Sequence, residues 1–358
     1  MAVGERLAAA SGPAATSRRE GNPELTPAFT WTALALGVWV LLGAVVDIHA
    51  HNHGQVDETF FTPFHLLMYS GVAANGLFYV VMQYRYVGRG HRLLQALPRA
   101  YLLSFAGVLL FGVGGVFDLV WHELFGFEAG IDALVSPSHL LLVLSGLLFM
   151  SGPLRSFLAQ GAPGQGWMAL FPPLTAALMA LTLATLFTGF NNVWSQVDRY
   201  VALDPDSDRK LAEAYTVATA LIPAALMTGT LLFLRRRMPL PFGAVTYLLF
   251  TSALIMFYIR LEDTAPHAPV LLAPLLAGLV GDWLLARPPA SPPLTLRLFA
   301  FAAPFIMTFG LFVILQLGAG IWWSTHMWVG VSFMAGAVGP GLAGLVKAED
   351  IAPMPSRG

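Results

Sequence analysis

Two short segments carry an aspartate followed four residues later by a histidine. The pairs are Asp47 with His51 and Asp118 with His122, and both stand near the end of an apolar stretch. Side chains four residues apart project from the same face of a helix. Each pair can therefore hold one cation jointly, or the carboxylate can fix the tautomer of the imidazole. The alternative is that these residues form surface ion pairs and cap helices.

A further histidine opens the next apolar stretch after each pair. His65 follows a tripeptide that begins at Thr62, and His139 follows one that begins at Ser136; the second residue of both is proline. These residues predict a helix with a Ser/Thr N-cap, proline in the first position and histidine in the third. The helix dipole disfavours imidazolium there, and neutral imidazole is the form that binds metal. The predicted ligands are Asp47, His51, His65, Asp118, His122 and His139.

Further candidate ligands are predicted on the side of the membrane that carries the Asp/His pairs. His49, His51 and His53 form a His-x-His-x-His tract, which can collect Cu(II), Ni(II) or Zn(II). If this tract is extended, all three histidines point one way; if it is helical, His49 and His53 share a face. The alternative is a hydrated loop with incidental histidines and solvated acids. The candidate additional ligands are His49, His53, Glu128, Asp263, His267 and His326.

The composition limits the class of protein and the donor atoms. The 358 residues are 56% hydrophobic and 11% charged, whereas soluble domains carry about 25% charged residues. A soluble globular protein is thereby excluded. Cysteine is absent, which removes disulfides, iron–sulfur clusters and thiolate sites. The net charge of −1 comes without a basic block, so no nucleic-acid partner is expected.

Ten stretches are long and apolar enough to predict membrane helices, which need about 20 residues each. The sequence thus predicts an all-α polytopic membrane protein, with a flexible cytoplasmic tail at 1–27, a helical bundle at 28–348 and a second cytoplasmic tail at 349–358. The predicted spans are 28–48, 64–84, 99–121, 138–158, 168–192, 212–234, 240–259, 268–286, 295–317 and 323–346.

The loop charges predict the orientation. With ten spans both termini lie on one side, and that side holds 15 of the 19 Lys and Arg residues. The positive-inside rule places it in the cytoplasm. The opposite side collects 14 of the 20 acids and every histidine except His91. We therefore expect a bacterial-type inner membrane protein whose metal site faces the periplasm.

The two Asp/His segments belong to an internal repeat. We predict five helical hairpins near 28–84, 99–158, 168–234, 240–286 and 295–346. The first two are closely related and the last two divergent. In the third, the segment 191–195 resembles a copy without ligands, and Tyr215 stands where a histidine would fall. The alternative is that Ser/Thr-Pro simply starts helices.

The combination of Asp-x-x-x-His with a histidine that opens the next helix resembles the copper-binding C subunit of copper membrane monooxygenases. The resemblance covers Asp47, His51 and His65, and again Asp118, His122 and His139. It extends over about a quarter of the chain, and ten spans are more than that subunit has. It implies copper and oxygen chemistry. By residue type alone, zinc, iron and manganese also fit these donors.

The first functional hypothesis is an outward-facing metal site, with copper as cofactor, in an oxidoreductase or a subunit of one. A small apolar substrate would reach it from the lipid bilayer. The partners would be lipid, other membrane subunits, and a periplasmic metal or electron donor. A second hypothesis is a metal-ion transporter or delivery protein, in which the His tract would capture the ion and the bundle would pass it on. Few polar residues mark a path through the membrane; Asp282, on the inner half of the eighth span, is one of them and is also a candidate proton relay. A b-type haem protein and a non-catalytic scaffold complete the alternatives.

Overall fold

Helices make up all the regular secondary structure of the residues that this computed structural model describes, namely 20–55, 61–126, 130–161, 164–286 and 292–344. The predicted all-α fold is confirmed. The helices are α1 (Pro27–Asn52), α2 (Pro63–Gly88), α3 (Arg99–Phe125), α4 (Ile131–Val135), α5 (Pro137–Met150), α6 (Gly152–Ala159), α7 (Trp167–Phe187), α8 (Asp198–Val201), α9 (Arg209–Arg237), α10 (Ala244–Tyr258), α11 (Leu261–Thr264), α12 (Leu272–Ala286), α13 (Pro292–Gly318) and α14 (Thr325–Gly344). Short 3₁₀ turns lie at Leu93–Gln95, Gly189–Asn191 and Ala265–Leu271.

Fewer helices are long enough to cross a membrane than the ten that the sequence predicts. In the described residues, eight helical segments are long and apolar enough to cross a bilayer. A ninth is formed if α5 and α6, which bend by 42° at Ser151, count as one span. The predicted span 240–259 corresponds to α10, which has only 15 residues and is shorter than the about 20 that a bilayer requires. The polytopic membrane fold holds, with this correction to the count.

Consecutive long helices pack as antiparallel neighbours. α1 packs on α2, α3 on α5, α10 on α12 and α13 on α14. The predicted third hairpin differs, because α9 packs more extensively on α14 than on α7. Four of the five predicted hairpins are therefore present as helix pairs, while a common origin of these pairs stays a prediction.

A half-buried arginine donates hydrogen bonds at the bend between α5 and α6. Arg155 donates from Nη1 to the carbonyl of Leu148 at 2.7 Å, and from Nη2 to the hydroxyl of Ser104 at 2.8 Å and the carbonyl of Ala100 at 3.2 Å. A kink frees backbone carbonyls that must find donors in an apolar bundle. Arg155 supplies those donors and ties α6 to α3.

Asp282 forms hydrogen bonds with the start of a neighbouring helix, while a proton relay at this residue stays a prediction. It lies on α12 and is 2% exposed. Its carboxylate accepts hydrogen bonds from the backbone of Val245 at 2.9 Å, the backbone of Thr246 at 3.1 Å and the Thr246 hydroxyl at 2.6 Å. These N–H groups belong to the first turn of α10, which lacks partners within its own helix. Asp282 therefore caps α10 from a neighbouring helix.

Candidate metal centre

Both hairpins place their histidines as the sequence predicts. The hydroxyl of Thr62 accepts the backbone N–H of His65 at 3.1 Å, and that of Ser136 accepts the N–H of His139 at 3.4 Å. Pro63 and Pro137 begin the helices, so both histidines occupy the third position. The Asp/His pairs lie in the last turns of α1 and α3. Each hairpin therefore brings one helix end with an Asp/His pair against one helix start with a histidine.

The second hairpin gathers Asp118, His122 and His139 into one cluster. Oδ1 of Asp118 lies 3.5 Å from Nε2 of His122 and 3.7 Å from Nε2 of His139. One donor atom from each residue lies within 4.8 Å of the others. The side chain of Asp118 is 2% exposed, that of His122 7% and that of His139 27%. The cluster is thus enclosed on the aspartate side and opens along the edge of His139.

Hydrogen bonds on the far side of each imidazole fix its orientation. Nδ1 of His122 lies 3.3 Å from the carbonyl oxygen of Gly126, and Nδ1 of His139 lies 2.7 Å from the hydroxyl of Ser136. A hydrogen on each Nδ1 can be donated to these oxygens, which leaves the Nε2 lone pair directed toward Asp118. Metal-binding histidines are oriented in the same way by outer partners.

The separations fit a shared cation. Zinc or copper with ligands at about 2.1 Å places neighbouring donors of a tetrahedron about 3.4 Å apart. The two measured O···N separations of 3.5 and 3.7 Å are close to that value. Oδ1 of Asp118 is buried and accepts no hydrogen bond, although a buried carboxylate is costly without a partner. A metal ion at the centre of Asp118, His122 and His139 would satisfy this oxygen.

The first hairpin repeats the arrangement without the same convergence. Nε2 of His65 lies 3.3 Å from Oδ2 of Asp47, and the rings of His51 and His65 are 5.6 Å apart, against 5.7 Å for His122 and His139. His51 instead turns Nδ1 toward its own helix, 2.9 Å from the carbonyl of Asp47. Its ring would have to rotate before Asp47, His51 and His65 could bind one ion together.

The outer two histidines of the tract face a different helix. Nδ1 of His49 donates to the carbonyl of Tyr258 at 2.9 Å, and the two rings stack at 4.5 Å. His53 uses both nitrogens, since Nδ1 contacts the carbonyl of His49 at 2.6 Å and Nε2 accepts the N–H of Glu262 at 3.1 Å. The tract takes the helical of the two predicted arrangements, so His49 and His53 share a face, with their rings 4.0 Å apart. They attach α1 to the junction of α10 and α11 and do not join His51.

The remaining candidate ligands lie apart from the cluster. Asp263 pairs with Arg260, His267 lies in the 3₁₀ turn before α12, and His326 is exposed at the start of α14. Glu128 falls outside the described residues. Among those described, Asp118, His122 and His139 form the one group of three or more potential ligands with converging donor atoms.

Tyr69 is a neighbour of both hairpins that the sequence reasoning missed. Its ring lies 6.3 Å from that of His65 and 6.1 Å from that of Phe111 on α3. The available signal was its position four residues after His65, which is the same spacing that singled out the Asp/His pairs. In the third hairpin, Tyr215 stands where the repeat would place a histidine, and its hydroxyl donates a hydrogen bond to the carbonyl of Phe190.

The chain matches no protein-family model, no curated protein and no solved structure. Its function is therefore inferred from the geometry of the Asp/His clusters and from the membrane fold.

Proposed function

We propose that this chain is a membrane metalloprotein that binds copper at Asp118, His122 and His139. In this proposal it acts as a monooxygenase-like oxidoreductase or as a subunit of one. The observation that carries the proposal is the buried Asp118 oxygen, which accepts no hydrogen bond and faces Nε2 of two oriented histidines at 3.5 and 3.7 Å.

Copper is favoured by the donor set. Imidazole and carboxylate donors bind Cu(II) more tightly than the other divalent first-row metals. No cysteine is present to select a soft-metal or iron–sulfur site. Zinc and iron are the competing ions. Copper would supply one-electron redox chemistry with oxygen, while Asp118 contributes a negative charge and the two histidines contribute neutral donors.

The position of the cluster suits a reaction on an apolar substrate. Monooxygenation places one oxygen atom of O2 in the substrate and reduces the other to water, which consumes two electrons and two protons. An electron donor from the membrane or the periplasm must therefore be a partner. The partly exposed side chain of His139 and the outer surface of α3 leave a route by which a small membrane-dissolved substrate can approach.

The first hairpin supplies a second copper site in this proposal. Asp47, His51 and His65 carry the same residue types at nearly the same spacing. Rotation of the His51 ring away from the Asp47 carbonyl would direct a nitrogen toward the carboxylate and His65. We expect this site to fill after the Asp118 site, because it must break the 2.9 Å hydrogen bond of His51 first.

Two alternatives fit the geometry less well. A haem held by His122 and His139 would need its porphyrin plane between the two Nε2 atoms, where the Asp118 carboxylate lies within 3.7 Å of both. A transporter needs a polar path through the bilayer. Asp282, the strongest candidate for such a path, is instead occupied as the cap of α10.

Metal analysis of the detergent-purified chain tests the proposal. We expect stoichiometric copper, a Cu(II) electron paramagnetic resonance signal and no Soret band. Asp118→Ala and His122→Ala should each lower the copper content by the ion of the Asp118 cluster, while thermal unfolding shows that they remain folded. His326→Ala is the matched control, since His326 is exposed and outside the cluster. An unchanged copper content in both cluster variants, or absence of copper from the wild-type chain, would contradict the proposal.

A further inference from the structure

Tyr69 occupies the space between the two Asp/His clusters. It lies one helical turn beyond His65 on α2, so it shares a face with that histidine. Its ring meets Phe111 of α3 edge-on at 6.1 Å and 71°, and its hydroxyl oxygen is buried. The phenol therefore bridges the helix that carries His65 and the helix that carries Asp118.

A glycine on α3 makes room for this hydroxyl. A Cβ atom added at Gly115 would lie 2.9 Å from Cε1 of Tyr69 and 3.1 Å from its oxygen. Gly115 precedes Asp118 by three residues, so both lie on one face of α3. The absence of a side chain at Gly115 thus seats the Tyr69 hydroxyl one turn away from the Asp118 carboxylate.

Both carboxylates belong to the immediate surroundings of this hydroxyl. Asp118 lies one turn from Gly115, which seats the hydroxyl. Oδ2 of Asp47 lies 3.3 Å from Nε2 of His65, whose ring is 6.3 Å from that of Tyr69. A buried hydroxyl in such surroundings favours an orientation that directs its hydrogen toward a carboxylate oxygen. It carries one hydrogen, so it can serve one carboxylate at a time.

Given the proposed copper-binding function, we propose that Tyr69 is a positioning residue shared by the Asp47 and Asp118 clusters. Its hydroxyl stabilises and orients these carboxylates as ligands. When a metal neutralises one carboxylate, the hydroxyl is released to the other, which links the two sites. Gly115 contributes to this arrangement, because the absence of a side chain there determines where the Tyr69 hydroxyl lies.

Copper binding to the full-length chain in detergent tests the role of Tyr69. Tyr69→Phe removes the hydroxyl and retains the ring, and Gly115→Ala displaces the ring and retains the hydroxyl. Each should weaken copper binding about tenfold, as the loss of an outer partner of a metal ligand does, and should alter the Cu(II) resonance spectrum. The matched control is Tyr84→Phe, because Tyr84 lies on the same helix and is 80% exposed.

The outcomes separate this inference from the proposed function. A Tyr69→Phe chain with the wild-type copper affinity and spectrum would overturn the inference alone. A wild-type chain that binds no copper would overturn the proposed function and the inference together. Altered binding at an unchanged unfolding temperature supports the inference. If Tyr69→Phe does not fold, the result for Gly115→Ala decides in the same way.

Discussion

At the scale of single residues, two buried aspartates of this bundle have carboxylates with different surroundings. Asp282 accepts two backbone N–H groups and a hydroxyl, so its negative charge is fully engaged by hydrogen-bond donors of α10. Asp118 faces two imidazole nitrogens instead and retains an oxygen that accepts no hydrogen bond. A carboxylate arranged for structure and one arranged for a ligand are thus distinguished by what surrounds their oxygens.

The capping role predicts the effect of changing Asp282. Asp282→Leu leaves the N–H groups of Val245 and Thr246 buried without an acceptor, which should lower the free energy of unfolding by about 3 kcal/mol. Asp282→Asn keeps one acceptor oxygen, so its loss should be smaller. Thermal unfolding in detergent measures both, and the copper content should not change. Full stability of Asp282→Leu, or a loss of copper from it, would contradict this role.

Local signals at these residues could be predicted from the sequence, and contacts between distant helices could not. The N-caps Thr62 and Ser136 depend on neighbours within three residues, so the positions of His65 and His139 followed directly. The rotation of an imidazole depends on the competition between a backbone carbonyl and a carboxylate. His51 and His122 both stand four residues after an aspartate, yet only His122 presents Nε2 to that aspartate.

At the scale of helices, hydropathy located the apolar stretches but not their interruptions. The predicted span 138–158 is uniformly apolar enough to pass as one helix, and it bends at Ser151 because Pro153, in the first turn of α6, has no backbone N–H. Arg155, on α6 itself, then donates to the carbonyl of Leu148 at the bend. The two ends of α10 are held by Asp282 and by His49. These last two partners come from other helices and leave no mark in a hydropathy profile.

The spacing of α3 and α5 determines the geometry of the Asp118 cluster, because these helices carry its three ligands. Gly107 permits their close approach: a Cβ there would lie 2.8 Å from Cβ of Leu148 and 2.9 Å from the nitrogen of Phe149. Gly107→Val should push α5 away, destabilise the chain by about 2 kcal/mol and weaken copper binding although every ligand remains.

Gly112 offers the control for this prediction, since it lies on the same helix and an added Cβ would meet nothing within 4 Å. Gly112→Val should therefore resemble the wild type in both unfolding temperature and copper affinity. The prediction for Gly107 would be wrong if the two valine variants bound copper equally well.

At the scale of the whole molecule, the helices that carry the two clusters lie at the periphery of the bundle and not at its centre. α7 is the central helix, since 78% of its most apolar stretch is buried inside the protein. The buried share of the corresponding stretch is 33% in α2 and 39% in α3. The helices that carry the ligands thus face lipid or another subunit over much of their length. This placement suits a site that receives an apolar substrate or a membrane partner, and it is unlike a transport path, which would follow the central helix.

The charge asymmetry predicts which end of the molecule faces the periplasm, and the absence of cysteine makes the test direct. Ser207, exposed in the connection before α9, lies on the same predicted side as the Asp/His clusters, and Leu94, 83% exposed, lies on the Arg-rich side. In intact bacterial cells, a membrane-impermeant maleimide should label Ser207→Cys, and it should label Leu94→Cys only after permeabilisation. The unchanged chain, which has no thiol, controls for background. The opposite labelling pattern would place the clusters in the cytoplasm, where a periplasmic metal or electron donor cannot reach them.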